Sequence, residues 1–251
     1  MQEARSSFSA ALYLGGVKMV DKKIAAEIEA FAQSEGLDLG VIPNNNEVDA
    51  AWCLRFLRSV RDASFATMDA DGLPSVRIVD VMAVTDRSLY FLAPRGKAFH
   101  AEVVSGGYVA LVAMTSDYRT CRIRGRVYRP NGEDTQKVLV DALFDLNPGM
   151  NQIYPGDSRY ICDVFCIESG EGEYFDLGQK PIFRYPFAIG YGKVSLGSFW
   201  ITGACTGCGT CANICPESCI KEGTPFSINQ SHCLRCGLCL EACPAQAISK
   251  L

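Results

Sequence analysis

Residues 199–216 read FWITGACTGCGTCANICP, and residues 226–244 read FSINQSHCLRCGLCLEACP. Each copy carries three cysteines separated by two residues, then a fourth followed by proline: Cys205, Cys208, Cys211 and Cys215, then Cys233, Cys236, Cys239 and Cys243. Three thiolates at that spacing wrap one corner of an iron–sulfur cubane, while the fourth points away and ligates the neighbouring cluster. Two pseudo-equivalent halves exchange their fourth cysteines. The spacing therefore assigns Cys205, Cys208, Cys211 and Cys243 to one [4Fe–4S] cluster and Cys233, Cys236, Cys239 and Cys215 to the other. Zinc is the alternative, since spacing alone does not exclude it, but zinc takes four ligands as two CxxC knuckles and each half here has one thiol too many. A disulfide framework fits less well, because the chain is long enough for a core without staples and no secretory segment is read ahead of it.

The two copies form an internal repeat. Cys205 maps onto Cys233 with the same offset that carries Ile220 onto Ile248, and short strands, 199–201 and 226–228, precede each cysteine group. Over residues 199–250 the chain resembles bacterial-type two-cluster ferredoxins. Cys219 is surplus, the octet being complete without it.

Working back from the repeat, 251 residues at 48% apolar and 21% charged allow one large soluble domain plus this small one. The longest apolar stretch near the start, Phe8 to Val17, holds a serine and two glycines and is too short to span a bilayer, so no membrane span is expected. Arg5 ahead of it raises a signal peptide, but no small-residue cleavage site follows and Lys18 interrupts. Residues 1–18 are read instead as a disordered leader, with order beginning near Met19. A net charge of −4, made more negative by two cysteine-ligated clusters, argues against nucleic acid. Thiols and clusters together point to a reducing cytoplasm.

Ile24, Ile28, Phe31 and Ala32 recur at helical intervals between Asp21, suited to cap, and Gly36, suited to stop. A second helix is expected over Glu47 to Val60, capped by Asn46. From Ser64 to Arg129 the period becomes two, with turns at 69–72 and 85–87 and strands 65–68, 76–84 and 89–92. The apolar run Tyr108 to Met114 reads as a strand buried on both faces. In Cys121 to Arg129, Cys121, Ile123, Gly125 and Val127 alternate with Arg122, Arg124, Arg126 and Tyr128. Such strands suggest a closed barrel. A helix from about Gly132 to Leu146, capped by Asn131, leads to strands 160–168 and 173–177, and the barrel region is expected to end near Tyr185.

Pro94-Arg95-Gly96-Lys97 lies between a strand and a short helix, Ala98 to Val104, so backbone donors and two cations could hold a phosphate; loops of this kind are also often plain solvated turns. The order of the segments gives the loop its context: Phe56-Leu57-Arg58, Ala66-Thr67-Met68 with Asp71-Gly72, Val76-Arg77-Ile78-Val79, Leu89-Tyr90-Phe91-Leu92, Gly96-Lys97, Val109 to Val112 and Arg122 to Arg126. This succession resembles the pyridoxamine 5′-phosphate oxidase-like flavin-binding split-barrel superfamily over about residues 52–130, with Asp176 and its strand as a looser continuation.

The resemblance implies a fold that is mainly β with α: an antiparallel FMN-binding split β-barrel with flanking helices, beside a small α+β ferredoxin-like domain with two clusters. The expected division is leader 1–18, N-terminal helical segment 19–46, FMN-binding split-barrel domain 47–185, linker 186–198 and ferredoxin domain 199–251. By the same resemblance Arg77 and Lys97 hold the FMN phosphate, with Arg95 as a second ligand; Ile78, Val79, Phe91 and Leu92 line ribityl and ring, and Thr120 is a polar flavin contact. The family binds FMN between two subunits, which implies a homodimer. The C-terminal Trp and Arg contacts of the true oxidases have no counterpart, so vitamin B6 oxidation is disfavoured.

Other candidates have plainer readings. Cys53, Cys121, Cys162 and Cys166 fall on apolar faces and read as buried small hydrophobes. His100 and His232 read as surface or supporting residues rather than haem ligands. The Arg122, Arg124, Arg126 row reads as solvent-facing rather than as a face for an acidic partner. Tyr118, in the turn Thr115-Ser116-Asp117-Tyr118, could donate a proton at the flavin, though tyrosines there usually only pack.

A flavin joined to two cubanes converts one-electron delivery into two-electron chemistry. The expectation is an oxidoreductase of anaerobic metabolism: a flavin-dependent reductase that takes electrons from an external low-potential donor, ferredoxin or similar, to a small-molecule acceptor the sequence does not name. The alternative is a non-catalytic electron-transfer protein serving a protein partner, distinguished by the lack of a small-molecule product. A haem-acting split-barrel enzyme is a third reading, and a haem titration without a Soret shift removes it.

Overall fold

The computed structural model describes residues 23–28, 30, 47–195 and 197–250. The expected leader, the helix stop at Gly36 and the cap at Asn46 lie outside them. Residues 23–28 and 30 are helical, and Ile28 is fully buried.

Helix α1 (Ala50–Val60) is capped by Asp49, whose carboxylate accepts the Trp52 N–H at 2.7 Å. It turns Trp52, Cys53, Leu54, Phe56 and Leu57 inward. Trp52 and Phe56 meet Tyr174 edge-on, with centroids 4.9 and 5.3 Å apart.

Eight strands form one antiparallel sheet: β1 (Asp62–Met68), β2 (Pro74–Asp80), β3 (Ala83–Val84), β4 (Leu89–Pro94), β5 (Tyr108–Met114), β6 (Arg119–Tyr128), β7 (Cys162–Asp176) and β8 (Phe183–Ile189). The order is β2-β1-β5-β6-β7-β4-β3, with β8 also on β7. This ladder curls without closing, so the expectation of a closed barrel gives way to a half-barrel. Its end strands, β2 and β3, form no ladder with each other among the described residues, and β7 divides the sheet further. The first part of β7, Cys162 to Ile167, pairs with β4, and its second part, Gly170 to Asp176, pairs with β8, so one long strand serves two partners and the sheet forks.

The two strands expected at 160–168 and 173–177 are thus one. Glycines between them are sites of close approach rather than a break: a Cβ on Gly170 would come within 2.3 Å of the Arg124 carbonyl oxygen, and one on Gly125 within 2.5 Å of that of Ser169. Strand β8 also runs past Tyr185 to Ile189, into residues expected as linker, because Phe187 and Ile189 join the barrel core.

Strand β5 corrects a second reading. Val109, Leu111 and Ala113 are buried, whereas Tyr108, Val112 and Met114 on the other face are exposed, so the apolar run is covered on one side only in a single chain. Strand β6 alternates as expected, with Cys121, Ile123 and Gly125 inside.

The barrel interior holds Phe65, Phe91, Phe99 and Phe165, with Phe91 and Phe165 stacked at 5.7 Å. Helix α2 (Ala98–Gly106) follows the basic loop. Helix α3 (Glu133–Leu146) begins at Gly132, with no side-chain cap and not at Asn131. It covers the other face of β4 and β7 with Leu139, Val140, Leu143 and Phe144 against Leu92, Val164 and Cys166.

The C-terminal unit repeats itself. Strands β9 (Phe199–Ile201) and β12 (Ile248–Lys250) pair, as do β10 (Ile220–Lys221) and β11 (Ser227–Ile228). Two five-residue helices, Thr210–Ile214 and Leu238–Ala242, each start from a left-handed glycine, Gly209 and Gly237. Ser218 and Gln246, at matched positions, share φ values of 48° and 49°.

Candidate functional site

The repeat gathers its cysteines around two cavities. One is lined by Cys205, Cys208, Cys211 and Cys243, the other by Cys215, Cys233, Cys236 and Cys239, the partition given by exchange of the fourth cysteine. These thiols ring two pockets rather than converging on a point. Among the described residues no three His, Cys, Asp or Glu groups stand close enough for a single ion. Four thiols around a cavity suit a polynuclear cluster, which takes its ligands at separate corners. Backbone donors already point at sulfur: the Arg235 N–H to Cys233 Sγ and the Ala247 N–H to Cys243 Sγ, both at 3.3 Å. Cys219 also lines the second cavity, its Sγ 3.5 Å from that of Cys215.

The second half of the repeat faces the sheet. Arg184 of β8 donates from Nε to the Cys233 carbonyl at 2.8 Å and lies over the Phe175 ring at 3.8 Å. Glu173 of β7, 2% exposed, receives Arg184 at 2.7 Å, Arg235 at 2.6 Å and Arg122 at 3.0 Å. Burial pushes the Arg184 guanidinium below its ordinary value, with Glu173 pulling the other way and Arg235 and Arg122 adding to the fall. Nearby, Glu217 binds Lys180 and the Ile182 N–H, and His232 Nδ1 meets the Ile182 carbonyl at 2.7 Å. Arg122 and Arg124 therefore do not simply face solvent: they pair with Glu173 and Glu171 on the next strand.

The basic loop lies on the other side of β7. Asp163 is buried and receives Arg129 through two bonds of 2.9 and 3.0 Å, His100 at 2.8 Å and Arg95 at 3.1 Å. Burial raises its pKa, but the bonds from Arg129, His100 and Arg95 prevail and hold it at about 2. Lys97 makes no ion pair among the described residues. Burial pushes the Cys162 thiol up to about 11, while Lys97 and Arg95 nearby draw it down. The loop thus gathers more positive charge than Asp163 neutralises.

Arg77 sits against the same helix, over the Phe99 ring at 4.9 Å, paired with Glu102 at 2.7 Å and bonded to Thr67 and Ser75. Ile78 is exposed on the outer face of β2, and Val79 packs partly on the core. Phe91 lies inside the barrel and Leu92 under α3, so both side chains are buried. Thr120 donates to the Phe175 carbonyl at 3.3 Å. The eight expected flavin residues thus fall into a basic group, Arg95 and Lys97 with Arg77 beside the helix, and a dispersed set. Lys97 is the loop cation without an ion pair among the described residues, whereas Arg95 is paired with Asp163 and Arg77 with Glu102.

On the outer face of the sheet a groove of about 540 Å³ runs over Ala66, Val76, Ala110 and Val112, with Arg122, Arg124 and Glu171 at one end. Ser195 donates to Glu171 from N and Oγ, and these bonds, with Arg124, keep that carboxylate below its usual range despite burial.

Glu173, Arg184, Arg235, Glu217 and Asp163 went unnoticed in the sequence. One signal was available: Arg235 occupies the repeat position that Gly207 holds in the first half.

Residues 199–221 and 226–249 match the family described as "4Fe-4S binding domain". No curated protein matches the chain. Among solved structures the chain is similar to a NimC/NimA family protein from Clostridium acetobutylicum, at 17% identity, 56% of this chain, 92% of that one and a TM-score of 0.46. It is also similar to a pyridoxamine 5′-phosphate oxidase-related, FMN-binding protein from Nostoc punctiforme PCC 73102, at 15% identity, 55% and 85% coverage and a TM-score of 0.42. A third is PhzG from Burkholderia lata 383, at 15% identity, 61% and 93% coverage and a TM-score of 0.45.

Proposed function

We propose that this chain is a flavin- and iron–sulfur-dependent reductase, in which electrons from an external low-potential donor pass through two [4Fe–4S] clusters to FMN and then to a small organic acceptor. The observation that carries the reading is the joint: the half of the repeat that presents Cys233 and Cys236 is seated on the sheet through Arg184, Glu173 and Arg235. A carrier module with no business in the barrel has no need of a buried, multiply bonded seat there.

When bound, FMN supplies the exchange between single electrons and a hydride. The chain's own part is to hold it. Lys97 and Arg95, ahead of the first turn of α2, neutralise the phosphate, and the excess charge around Asp163 keeps that loop attractive to an anion. A second subunit is part of the proposal. Its support is the apolar outer face, where Met68, Val76, Ile78, Tyr108, Val112 and Met114 are exposed together on neighbouring strands, more than an isolated chain tolerates well.

Lys97→Ala is expected to lower FMN retention at least several-fold on gel filtration while leaving iron content unchanged. Unchanged flavin retention overturns the phosphate assignment. The double variant Cys205→Ala with Cys233→Ala is expected to keep its FMN and lose its reduction by the physiological donor. Flavin reduction at the native rate would sink the relay.

A further inference from the structure

The two halves of the repeat differ at one informative position. Gly207, between Cys205 and Cys208, has φ 74°, and a Cβ there would meet nothing. The matched residue between Cys233 and Cys236 is Arg235, held at φ 57°, a left-handed conformation that costs a residue with a side chain but not glycine. An arginine kept in a glycine's conformation indicates that its side chain has a task. That side chain reaches Glu173 at 2.6 Å and is 15% exposed, and its Nε is buried without a hydrogen-bond partner among the described residues.

Around Glu173 the charges do not balance. Arg122, Arg184 and Arg235 meet a single carboxylate, which leaves an excess of two positive charges beside the loop of Cys233. The other charged groups at this joint, Lys180 with Glu217 and Arg124 with Glu171, are matched one to one. Arg184 and Arg235 are 10% and 15% exposed, so water screens them little. None of the first cavity's described lining residues is charged, and the second is lined by one charged group, Glu217, which pairs with Lys180.

Reduction adds an electron to a cluster, and adjacent positive charge stabilises the more negative state and raises the potential. We propose that the Arg235–Glu173–Arg184 junction makes the Cys215, Cys233, Cys236, Cys239 cluster the higher-potential member of the pair, so that electrons enter at the Cys205 cluster and leave for the sheet from the Cys233 cluster. The inference rests on the cluster reading given under the proposed function. It assigns Arg235 and Arg184 as positioning and tuning residues, with Arg122 carrying the junction to the rim of the outer groove.

The test is a potentiometric titration of the reconstituted full chain, followed by electron paramagnetic resonance, with Cys208→Ser marking the signals of the first cluster. Arg235→Gly, which installs the residue of the first half, is expected to lower the second cluster's potential and leave the first in place. Arg122→Gln, at a half-exposed site, is expected to lower it less. Glu173→Gln, which removes the negative partner, is expected to raise it. Opposite signs for Arg235→Gly and Glu173→Gln separate a charge effect from mere loosening. Shifts of the same sign in both, or no shift in Arg235→Gly with iron at about eight atoms per chain, overturn the inference alone. A chain that takes up no iron and sulfide on anaerobic reconstitution overturns the functional reading and this inference with it.

Discussion

The barrel and the C-terminal unit are stabilised by different means. The barrel buries Phe65, Phe91, Phe99 and Phe165 inside a sheet whose strands reach fifteen residues, and α1 and α3 close it with further apolar side chains. The C-terminal unit has strands of two or three residues and helices of five. Four of its nine described buried apolar residues are cysteine, Cys211, Cys219, Cys233 and Cys239, beside Phe199, Ile220, Phe226, Ala247 and Ile248. A unit this small lacks the apolar area to offset its chain entropy, so what its thiols bind supplies the folding free energy. The larger region thus folds on burial, and the smaller one on its ligands.

The sharpest way to break that contrast is to remove the metal. Anaerobic chelation and oxidation are expected to abolish hydrogen-exchange protection across residues 199–250 while the central barrel strands keep theirs; a protected C-terminal unit without iron ends the comparison. Next in size, Phe91→Ala is expected to cost the barrel about 3–5 kcal/mol, because Phe91 is fully buried among three other rings. Trp52 reports this in a Trp200→Phe background, and a loss under about 1 kcal/mol contradicts it. Iron content should stay unchanged.

A smaller effect follows from acid. The folded-state pKa of Asp163, about 2, lies below its unfolded value, so its contribution is fully present above pH ~4 and is lost as pH falls toward 2. The expected loss is roughly 2 kcal/mol, read as a fall in the urea midpoint of the Trp52 signal between pH 5 and pH 2.5. Asp163→Asn should flatten that dependence and start from lower stability, since Arg95 and Arg129 lose their partner. The smallest expected effect is at the helix cap: Asp49→Ala removes the acceptor for the Trp52 N–H and should cost about 1 kcal/mol, again in the barrel signal alone.

Legibility differed between the regions for the same reason that stability does. The repeated cysteine spacing and the short strand at the head of each half were readable because they are local, and local spacing is written in sequence. The alternation of Cys121, Ile123 and Gly125 against arginines was also readable, because a strand's period is two. What misled was context. Tyr108 to Met114 looked like a strand buried on both sides, but sequence does not say whether a face is covered by its own chain. Residues 160–168 and 173–177 were read as two strands, whereas β7 runs through both and its glycines let β6 approach. Phe91 and Leu92, expected at a flavin, are neighbours on opposite faces of β4, one in the barrel interior and the other under α3, a placement the local sequence does not state.

Legible in the sequence alone were the eight cysteines in two repeated groups, the antiparallel character of the larger domain and the basic residues of the loop at Arg95 and Lys97. Each follows from spacing within a few residues, where chain geometry leaves little freedom. The tertiary structure alone decided which half of the repeat faces the sheet, that Glu173 gathers three arginines from β6, β8 and the Cys233 loop, and that Asp163 anchors the basic loop from behind. Those contacts join residues dozens of positions apart, and a buried carboxylate is viable only once the fold has brought its cations to it.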